Sequence, residues 1–237
     1  MAAFTPRLDI LPAEQRLLWP ALRPIRDLGF VLYGGTAIAL RLAHRQSIDF
    51  DFFHSRQLDR EALEKAVPIL NAATVLQESP NTFVAMAPGQ VKLSFFGGLD
   101  FGRVGEPQPT NDGVLRAASL EDLMASKLKV ILQRSESKDY IDLAAMVRAG
   151  GSVAAGLAAA EKIYHPTFPP SESLRALVYF EGGDMALVNE PDRAVLTKAA
   201  AAVRELPPVT IRPDLAPPEI TISAAQASKV KRAEGRT

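Results

Sequence analysis

Two aspartates lie two residues apart in an otherwise apolar stretch of this chain. They are Asp49 and Asp51, within residues 47–53, Ser-Ile-Asp-Phe-Asp-Phe-Phe. After the first residue the pattern alternates strictly, which predicts a β-strand with both carboxylates on one face. The opposite, apolar face would consist of Ile48, Phe50 and Phe52. Adjacent carboxylates repel each other and a divalent cation removes that cost, so the pair predicts a metal site or, more plainly, a solvated strand face.

A glycine pair followed by a threonine, Gly34-Gly35-Thr36, precedes the aspartates. It follows the apolar run 30–33, which predicts a buried strand, and we expect a turn at the glycines and a helix from Thr36 to about His44. Two glycines let the backbone approach a ligand closely, and the first amides of a helix attract phosphate. Glycines also join strands to helices for steric reasons alone, so the motif gains weight only from its position.

A lysine lies inside the apolar stripe of a helix predicted over residues 119–133. Ser119 begins that helix with a sequence similar to a capping box, Ser-Leu-Glu-Asp. Lys127 follows Leu123 by four residues and precedes Ile131 by four, and both of these belong to the stripe. Such a lysine either extends along the edge of the stripe into water or projects into a cleft where an anion binds it.

Two further aspartates, Asp139 and Asp142, share one face of the next predicted helix, over residues 137–149. Asp139 lies near the start of that helix, where the helix dipole alone would favour a negative charge. Asp142 lies between Ile141 and Leu143 in an apolar segment, and the dipole does not explain it. It is therefore the stronger candidate for a functional residue.

The order of predicted elements indicates an α+β fold. Strands are predicted at 30–33, 47–53, 73–77, 82–87 and 91–96, with helices between and after them. We expect a small mixed sheet flanked by helices, followed by a helical C-terminal half. The predicted domains are an αβ core over residues 1–113, a mostly helical unit over 114–206 that carries Lys127 and Asp142, and a tail over 207–237. The tail is Pro-rich and then basic, and is expected to be extended or disordered.

Composition narrows the class of protein. The chain has 237 residues, 47% of them hydrophobic, which is enough for a real core. The 27 basic residues balance the 27 acidic ones, so a charged partner must be bound by a local patch. No cysteine is present, which excludes disulfides, thiolate metal sites and a cysteine nucleophile. No apolar run approaches the ~20 residues of a membrane span, so no membrane partner and a cytoplasmic location are expected.

Four segments occur together in a recognisable order. They are residues 30–40 (Phe-Val-Leu-Tyr-Gly-Gly-Thr-Ala-Ile-Ala-Leu), 44–53 (His-Arg-Gln-Ser-Ile-Asp-Phe-Asp-Phe-Phe), 126–128 (Ser-Lys-Leu) and 138–143 (Lys-Asp-Tyr-Ile-Asp-Leu). The set resembles the AbiEii/AbiGii-type nucleotidyltransferase toxins of the minimal nucleotidyltransferase (DNA polymerase β-like) superfamily. The resemblance covers roughly residues 12–150.

The resemblance implies a nucleotidyltransferase fold and an enzyme that moves a nucleoside monophosphate from a triphosphate to an acceptor hydroxyl. It implies catalytic roles for Asp49, Asp51, Lys127 and Asp142, with Mg²⁺ held by the first two. The implied nucleotide-binding residues are Gly34, Gly35, Thr36, Lys127 and Asp139. A toxin of this kind would take RNA, such as a tRNA end, as acceptor and would have a cognate antitoxin protein.

One departure concerns the metal. Many members of the wider superfamily take a third metal carboxylate from a neighbouring strand, whereas the candidate strand here, Val-Lys-Leu-Ser-Phe-Phe over 91–96, has none. A one-metal site is therefore expected. Two alternatives stay open: a nucleotidyltransferase of the antibiotic-modifying type with a small-molecule acceptor, and a catalytically silent nucleotide-binding relative.

Overall fold

Seven strands form one mixed sheet in residues 3–216, the part of the chain that the computed structural model describes. The strands are β1 (Val31–Tyr33), β2 (Asp49–Phe53), β3 (Thr74–Ser79), β4 (Thr82–Ala87), β5 (Val91–Phe96), β6 (Gln108–Pro109) and β7 (Arg116–Ala117). Their order is β3-β4-β5-β2-β1-β7-β6. Strand β2 pairs antiparallel with β1 and parallel with β5, and β1 pairs parallel with β7. The predicted mixed sheet is confirmed.

Helices flank this sheet and make up most of the later half of the chain. They are α1 (Ala13–Leu18), α2 (Arg23–Asp27), α3 (Gly34–Leu42), α4 (Arg60–Ala66), α5 (Leu120–Val130), α6 (Ser137–Arg148), α7 (Val153–Ile163), α8 (Pro170–Ala176) and α9 (Glu190–Ala201). Ser119 caps α5 by accepting a hydrogen bond from the amide of Asp122 at 3.0 Å. The α+β fold with a helical second half is therefore as predicted.

Strand β2 lies near the middle of the sheet because its alternate residues are aromatic. Phe50 and Phe52 are fully buried, and the ring of Phe52 stacks on that of Phe95 with centroids 5.2 Å apart. The prediction for Ile48 was wrong. The strand begins only at Asp49, and Ile48 precedes it with its side chain 64% exposed.

The hairpin of β6 and β7 spans the predicted domain boundary after residue 113 and completes one edge of the sheet. The two strands pair antiparallel on either side of residue 113, and β7 then pairs with β1. A division after residue 113 therefore falls inside the hairpin. One continuous hydrophobic core contains side chains from both sides of that residue.

The chain returns to the αβ core after α9. Arg212 exchanges main-chain hydrogen bonds with Arg103, and Leu215 is buried, its amide donating to Ser55 Oγ at 2.9 Å. The first part of the predicted tail therefore packs on the core without forming a helix. Residues 217–237, which hold the basic end of that tail, lie outside the described residues.

Within residues 3–216, no helix is long and apolar enough to cross a bilayer.

Candidate active site

A cleft of about 540 Å³ opens between one end of β2 and the helices α5 and α6. Its lining includes main-chain and side-chain groups from Gly34, Gly35, Arg45, Gln46, Ser47, Ile48, Asp49, Asp51, Phe53, Lys92, Ser126, Lys127, Val130, Arg134 and Lys138. Five of the predicted site residues are in this set: Gly34, Gly35, Asp49, Asp51 and Lys127. Thr36, Asp139 and Asp142 are not.

The carboxylates of Asp49 and Asp51 lie side by side on β2 and face the cleft. The parallel pairing with β5 places Lys92 opposite Asp49 and Ser94 opposite Asp51. Burial raises the pKa of Asp51, a hydrogen bond from Ser94 opposes this, and the nearby charge of Asp49 raises the pKa further. Lys92 offsets the repulsion only weakly, since its Nζ lies 3.9 Å from Asp49 Oδ2. The pair is therefore short of positive charge.

These carboxylates have the donor chemistry that a hard divalent cation prefers. No group of three or more His, Cys, Asp or Glu side chains that could hold a metal is found within residues 3–216. The expected neighbouring strand supplies Ser94 where a third carboxylate would stand. The residues present therefore fit one cation held by Asp49 and Asp51, with its remaining positions left for water or substrate oxygens.

Helix α3 directs its first amides at the same cleft. It begins at Gly34, two residues before the predicted start at Thr36, and Gly34 itself has the positive φ of a turn residue. The residue before it, Tyr33, makes no side-chain capping hydrogen bond. A helix N-terminus with uncapped amides attracts phosphate through its N–H groups and its dipole. Gly34 and Gly35 thus place the start of a helix, whose amides favour an anion, beside the two carboxylates.

Thr36 does not line the cleft. Its side chain is buried, its hydroxyl donates to the main-chain oxygen of Asp49, and the hydroxyl of Ser47 lies within hydrogen-bond distance of it, at 2.9 Å. The expected contact of this hydroxyl with phosphate is therefore not supported by its placement. It instead fixes the start of β2 against α3, and so positions Asp49.

Gly34 is required both for its backbone and for the space beside it. Its φ is +72°, and a Cβ at this position would lie 2.6 Å from Asp51 Oδ2. We expect Gly34→Ala to displace the Asp51 carboxylate and to lower the free energy of unfolding by about 2 kcal/mol more than a strained backbone alone. Chemical denaturation with and without Mg²⁺ measures both effects, because a displaced carboxylate also reduces stabilisation by the cation.

Gly150→Ala is the matched control, since Gly150 also has a positive φ, +93°, but has nothing within 4 Å of the added Cβ. It should show the backbone strain of about 1–2 kcal/mol without any change in the response to Mg²⁺. Equal responses of the two variants to Mg²⁺ would contradict this account of Gly34.

Lys127 reaches the cleft from α5 and is held there by two carboxylates. Its side chain is 8% exposed, and its Nζ lies 2.6 Å from Asp139 Oδ1 and 2.6 Å from Asp142 Oδ2. An ammonium group has three N–H donors, so these two ion pairs leave one for a ligand in the cleft. The position of Lys127 in the apolar stripe is explained by this buried pairing.

Asp142 is fully buried and is surrounded by cations. Arg45 donates to both of its oxygens, from Nε at 2.6 Å and from Nη2 at 2.8 Å, and His44 Nε2 lies 2.6 Å from Oδ1. Burial alone would raise the pKa of Asp142, but the bond with His44 and the charges of Lys127 and Arg45 hold it well below its usual range. Asp142 therefore holds Lys127 and Arg45 in place, and its own side chain does not line the cleft. The catalytic role that the resemblance implies for it stays a prediction.

Asp139 has an environment similar to that of Asp142. It is fully buried and accepts from Lys127 at 2.6 Å and from Arg134 Nε at 2.9 Å. Its carboxylate is paired inside the protein and does not line the cleft, and the contact with nucleotide that the resemblance implies stays a prediction. Asp139 and Asp142 thus both hold the ammonium group of Lys127.

Four cations at the cleft were not among the predicted site residues. They are Arg45, Lys92, Arg134 and Lys138. A signal for Lys92 was available, since it alternates with Ser94 on the strand predicted beside the aspartates. Arg45 and Arg134 carry no such periodic signal, because both lie outside regular elements and reach the cleft only through tertiary contacts.

Comparison with known proteins identifies the class. Residues 16–193 match the family described as "Nucleotidyl transferase AbiEii toxin, Type IV TA system". The fold and cleft are thus those of a nucleotidyltransferase. More particularly, the chain belongs to the AbiEii family, as its sequence motifs predicted.

One curated relative is an uncharacterised protein, aq_aa25, of Aquifex aeolicus. It is 32% identical over 177 residues, which cover 72% of this chain and 84% of the relative.

Two solved structures are distantly similar. One is the solution structure of the antibiotic-resistance factor ANT(2'')-Ia, at 18% identity and a TM-score of 0.44, covering 58% of this chain and 84% of that one. The other is a crystal structure of ANT(2'')-Ia with adenylyl-2''-tobramycin, at 16% identity and a TM-score of 0.43, covering 59% and 91%.

Proposed function

We propose that this nucleotidyltransferase uses one Mg²⁺ ion to move a nucleoside monophosphate from a nucleoside triphosphate to a hydroxyl of RNA, such as a tRNA end. We further propose that it is the toxin of a toxin–antitoxin pair, with a cognate antitoxin protein. The observation that carries the proposal is the meeting of three elements at one cleft: the carboxylates of β2, the first amides of α3 and the ammonium group of Lys127.

Each element has a distinct task in the transfer. The amides of Gly34 and Gly35 bind the phosphates, and the free N–H of Lys127 stabilises negative charge on the transferred or leaving phosphate. Asp49 and Asp51 would hold Mg²⁺, which neutralises phosphate charge and activates the attacking oxygen. The acceptor oxygen bonds to the α-phosphorus as the bond to the β-phosphate oxygen breaks. Pyrophosphate leaves, and the hydroxyl proton is released.

Cations at the rim of the cleft support an RNA acceptor. Arg134 and Lys138 are 43% and 49% exposed, and each is paired with Glu136 at the surface, while the Nε of Arg134 is also held by the buried Asp139. Surface ion pairs of this kind contribute little energy and exchange readily for phosphate. These side chains can therefore contact the backbone of an acceptor strand while the triphosphate occupies the interior.

The test is transfer of label from each of the four α-³²P-labelled triphosphates to tRNA by the full chain with Mg²⁺. We expect radioactive RNA on a denaturing gel, with no transfer in EDTA. Induced expression should also arrest growth of a bacterial host, and Asp49→Ala should relieve the arrest. Protein that neither binds nor transfers any of the four nucleotides would overturn the proposal.

A small-molecule acceptor is the second candidate, favoured by the absence of net charge on the chain. It predicts that pyrophosphate is released only when a hydroxylated small molecule is added, with RNA left unlabelled. The two acceptors are therefore separated by the same assay.

A further inference from the structure

The segment between α3 and β2 alternates between buried and exposed side chains along the cleft. Ser47 is buried, whereas Gln46 and Ile48 on either side of it are exposed, and all three line the cavity. Ile48 is 64% exposed, and its place in the lining puts an aliphatic side chain among the charged groups of the cleft. Gln46 and Ile48 therefore form an amide and an apolar surface next to each other at the cleft.

The opposite wall supplies a second apolar group. Val130, the last residue of α5, is half-buried and lines the same cavity three residues after Lys127. The proposed handling of phosphates uses none of these three side chains. The lining of the cavity thus includes two aliphatic side chains and a neutral amide besides the charged groups suited to phosphates and a cation.

We propose that Gln46, Ile48 and Val130 form the subsite for the nucleobase of the triphosphate. This inference rests on the proposed function, since it concerns the same substrate. The base is tied to the phosphates through ribose and must lie in or beside the same cavity. A base needs apolar contacts for its faces and hydrogen-bonding groups for its edge, and sites of this composition are common for planar ligands.

The roles within the subsite differ. Ile48 and Val130 offer contact area that does not depend on the identity of the base. The amide of Gln46 has both a donor and an acceptor, so it can pair with the polar edge of a base and discriminate between bases. Ile48 therefore contributes affinity for all nucleotides, and Gln46 contributes selectivity.

Titration calorimetry with two kinds of ligand tests the proposal. The first kind is each of the four Mg²⁺-nucleoside triphosphates, and the second is Mg²⁺-tripolyphosphate, which has the phosphates without a base. We expect Ile48→Ala to weaken binding of the nucleotides roughly fivefold to tenfold, the effect of losing part of one apolar contact, and to leave tripolyphosphate binding unchanged. Gln46→Ala should narrow the spread of Kd among the four nucleotides. Leu187→Ala is the matched control, since Leu187 is 69% exposed and does not line the cleft. It should leave the binding of both kinds of ligand unchanged.

The outcomes separate this inference from the proposed function. If the wild type binds both ligands and Ile48→Ala binds all four nucleotides as the wild type does, the nucleobase subsite is overturned and the proposed function stands. Equal weakening of nucleotides and tripolyphosphate would also overturn the subsite, because it would assign Ile48 to the phosphates. A wild type that binds neither ligand would overturn the proposed function and this inference with it.

Discussion

Replacing Asp51 by asparagine should abolish nucleotidyl transfer, a loss of at least about a thousandfold, and should at the same time stabilise the metal-free protein. Transfer is lost because the neutral amide is a poor ligand for a divalent cation. Stability increases because burial penalises the Asp51 carboxylate and Asp49 repels it, as the raised pKa of Asp51 shows. In EDTA we expect Tm to rise by about 2–4 °C, the shift that 1 kcal/mol produces in a chain of this size.

The pH dependence of Tm tests whether the buried charge of Asp51 is the cause of this stabilisation. A carboxyl with a raised pKa in the folded state destabilises the fold when it is ionised, and this cost disappears as the pH falls through the folded pKa. The difference in Tm between Asp51→Asn and the wild type should therefore shrink at acid pH. Asp9→Asn serves as control, because Asp9 is exposed and pairs with Arg7 at the surface. Transfer by Asp51→Asn within tenfold of the wild type would remove Asp51 from the metal site.

Replacing Asp142 by asparagine should cause the largest loss of stability, about 3–5 kcal/mol in the free energy of unfolding. The change leaves Lys127 and Arg45 beside a neutral amide, in a place where water cannot replace the lost charge. It should also reduce transfer, because Lys127 loses one of the two carboxylates that hold it at the cleft. Urea denaturation at neutral pH measures the first effect, and the single-turnover rate on the remaining folded protein measures the second.

The stability that the Asp142 carboxylate contributes changes with pH in the opposite direction to that of Asp51. The pKa of Asp142 is lowered on folding, so its stabilising contribution is complete above the unfolded pKa of about 3.9 and is lost as the pH falls below it. The gap between wild type and Asp142→Asn should therefore close only in strong acid. Asp192→Asn is the comparison, since Asp192 is also buried and pairs with Arg148, and neither of these two residues lines the cleft. If Asp142→Asn were no more destabilising than Asp192→Asn, the cations around Asp142 would not depend on it.

The sequence sufficed for features that arise from local patterns. Alternation located the carboxylates of β2, and the capping sequence at Ser119 located the start of α5. Short apolar runs bounded by glycine and proline located most of the sheet. Each of these depends on residues a few positions apart, where periodicity and capping leave a direct trace.

Features that depend on distant residues were not predictable in this way. Arg45 and Asp142 are 97 positions apart, and no local pattern indicates that they form an ion pair. Without that contact, the sequence alone could not show that Asp142 is buried among ion pairs. The exposure of Ile48 was missed for a smaller reason: strict alternation does not show where a strand begins.

The ion pairs of Asp142 also bear on how the enzyme moves. They join the loop after α3, through His44 and Arg45, to helix α6, so they tie together the two walls of the cleft. Rotation of one wall away from the other would break these bonds and bring a fully buried carboxylate into water. Substrate entry and pyrophosphate release should therefore proceed through the mouth of a preformed site, without a hinge. In an amide hydrogen-exchange experiment, α3 and α6 should therefore lose their protection together, in one cooperative opening.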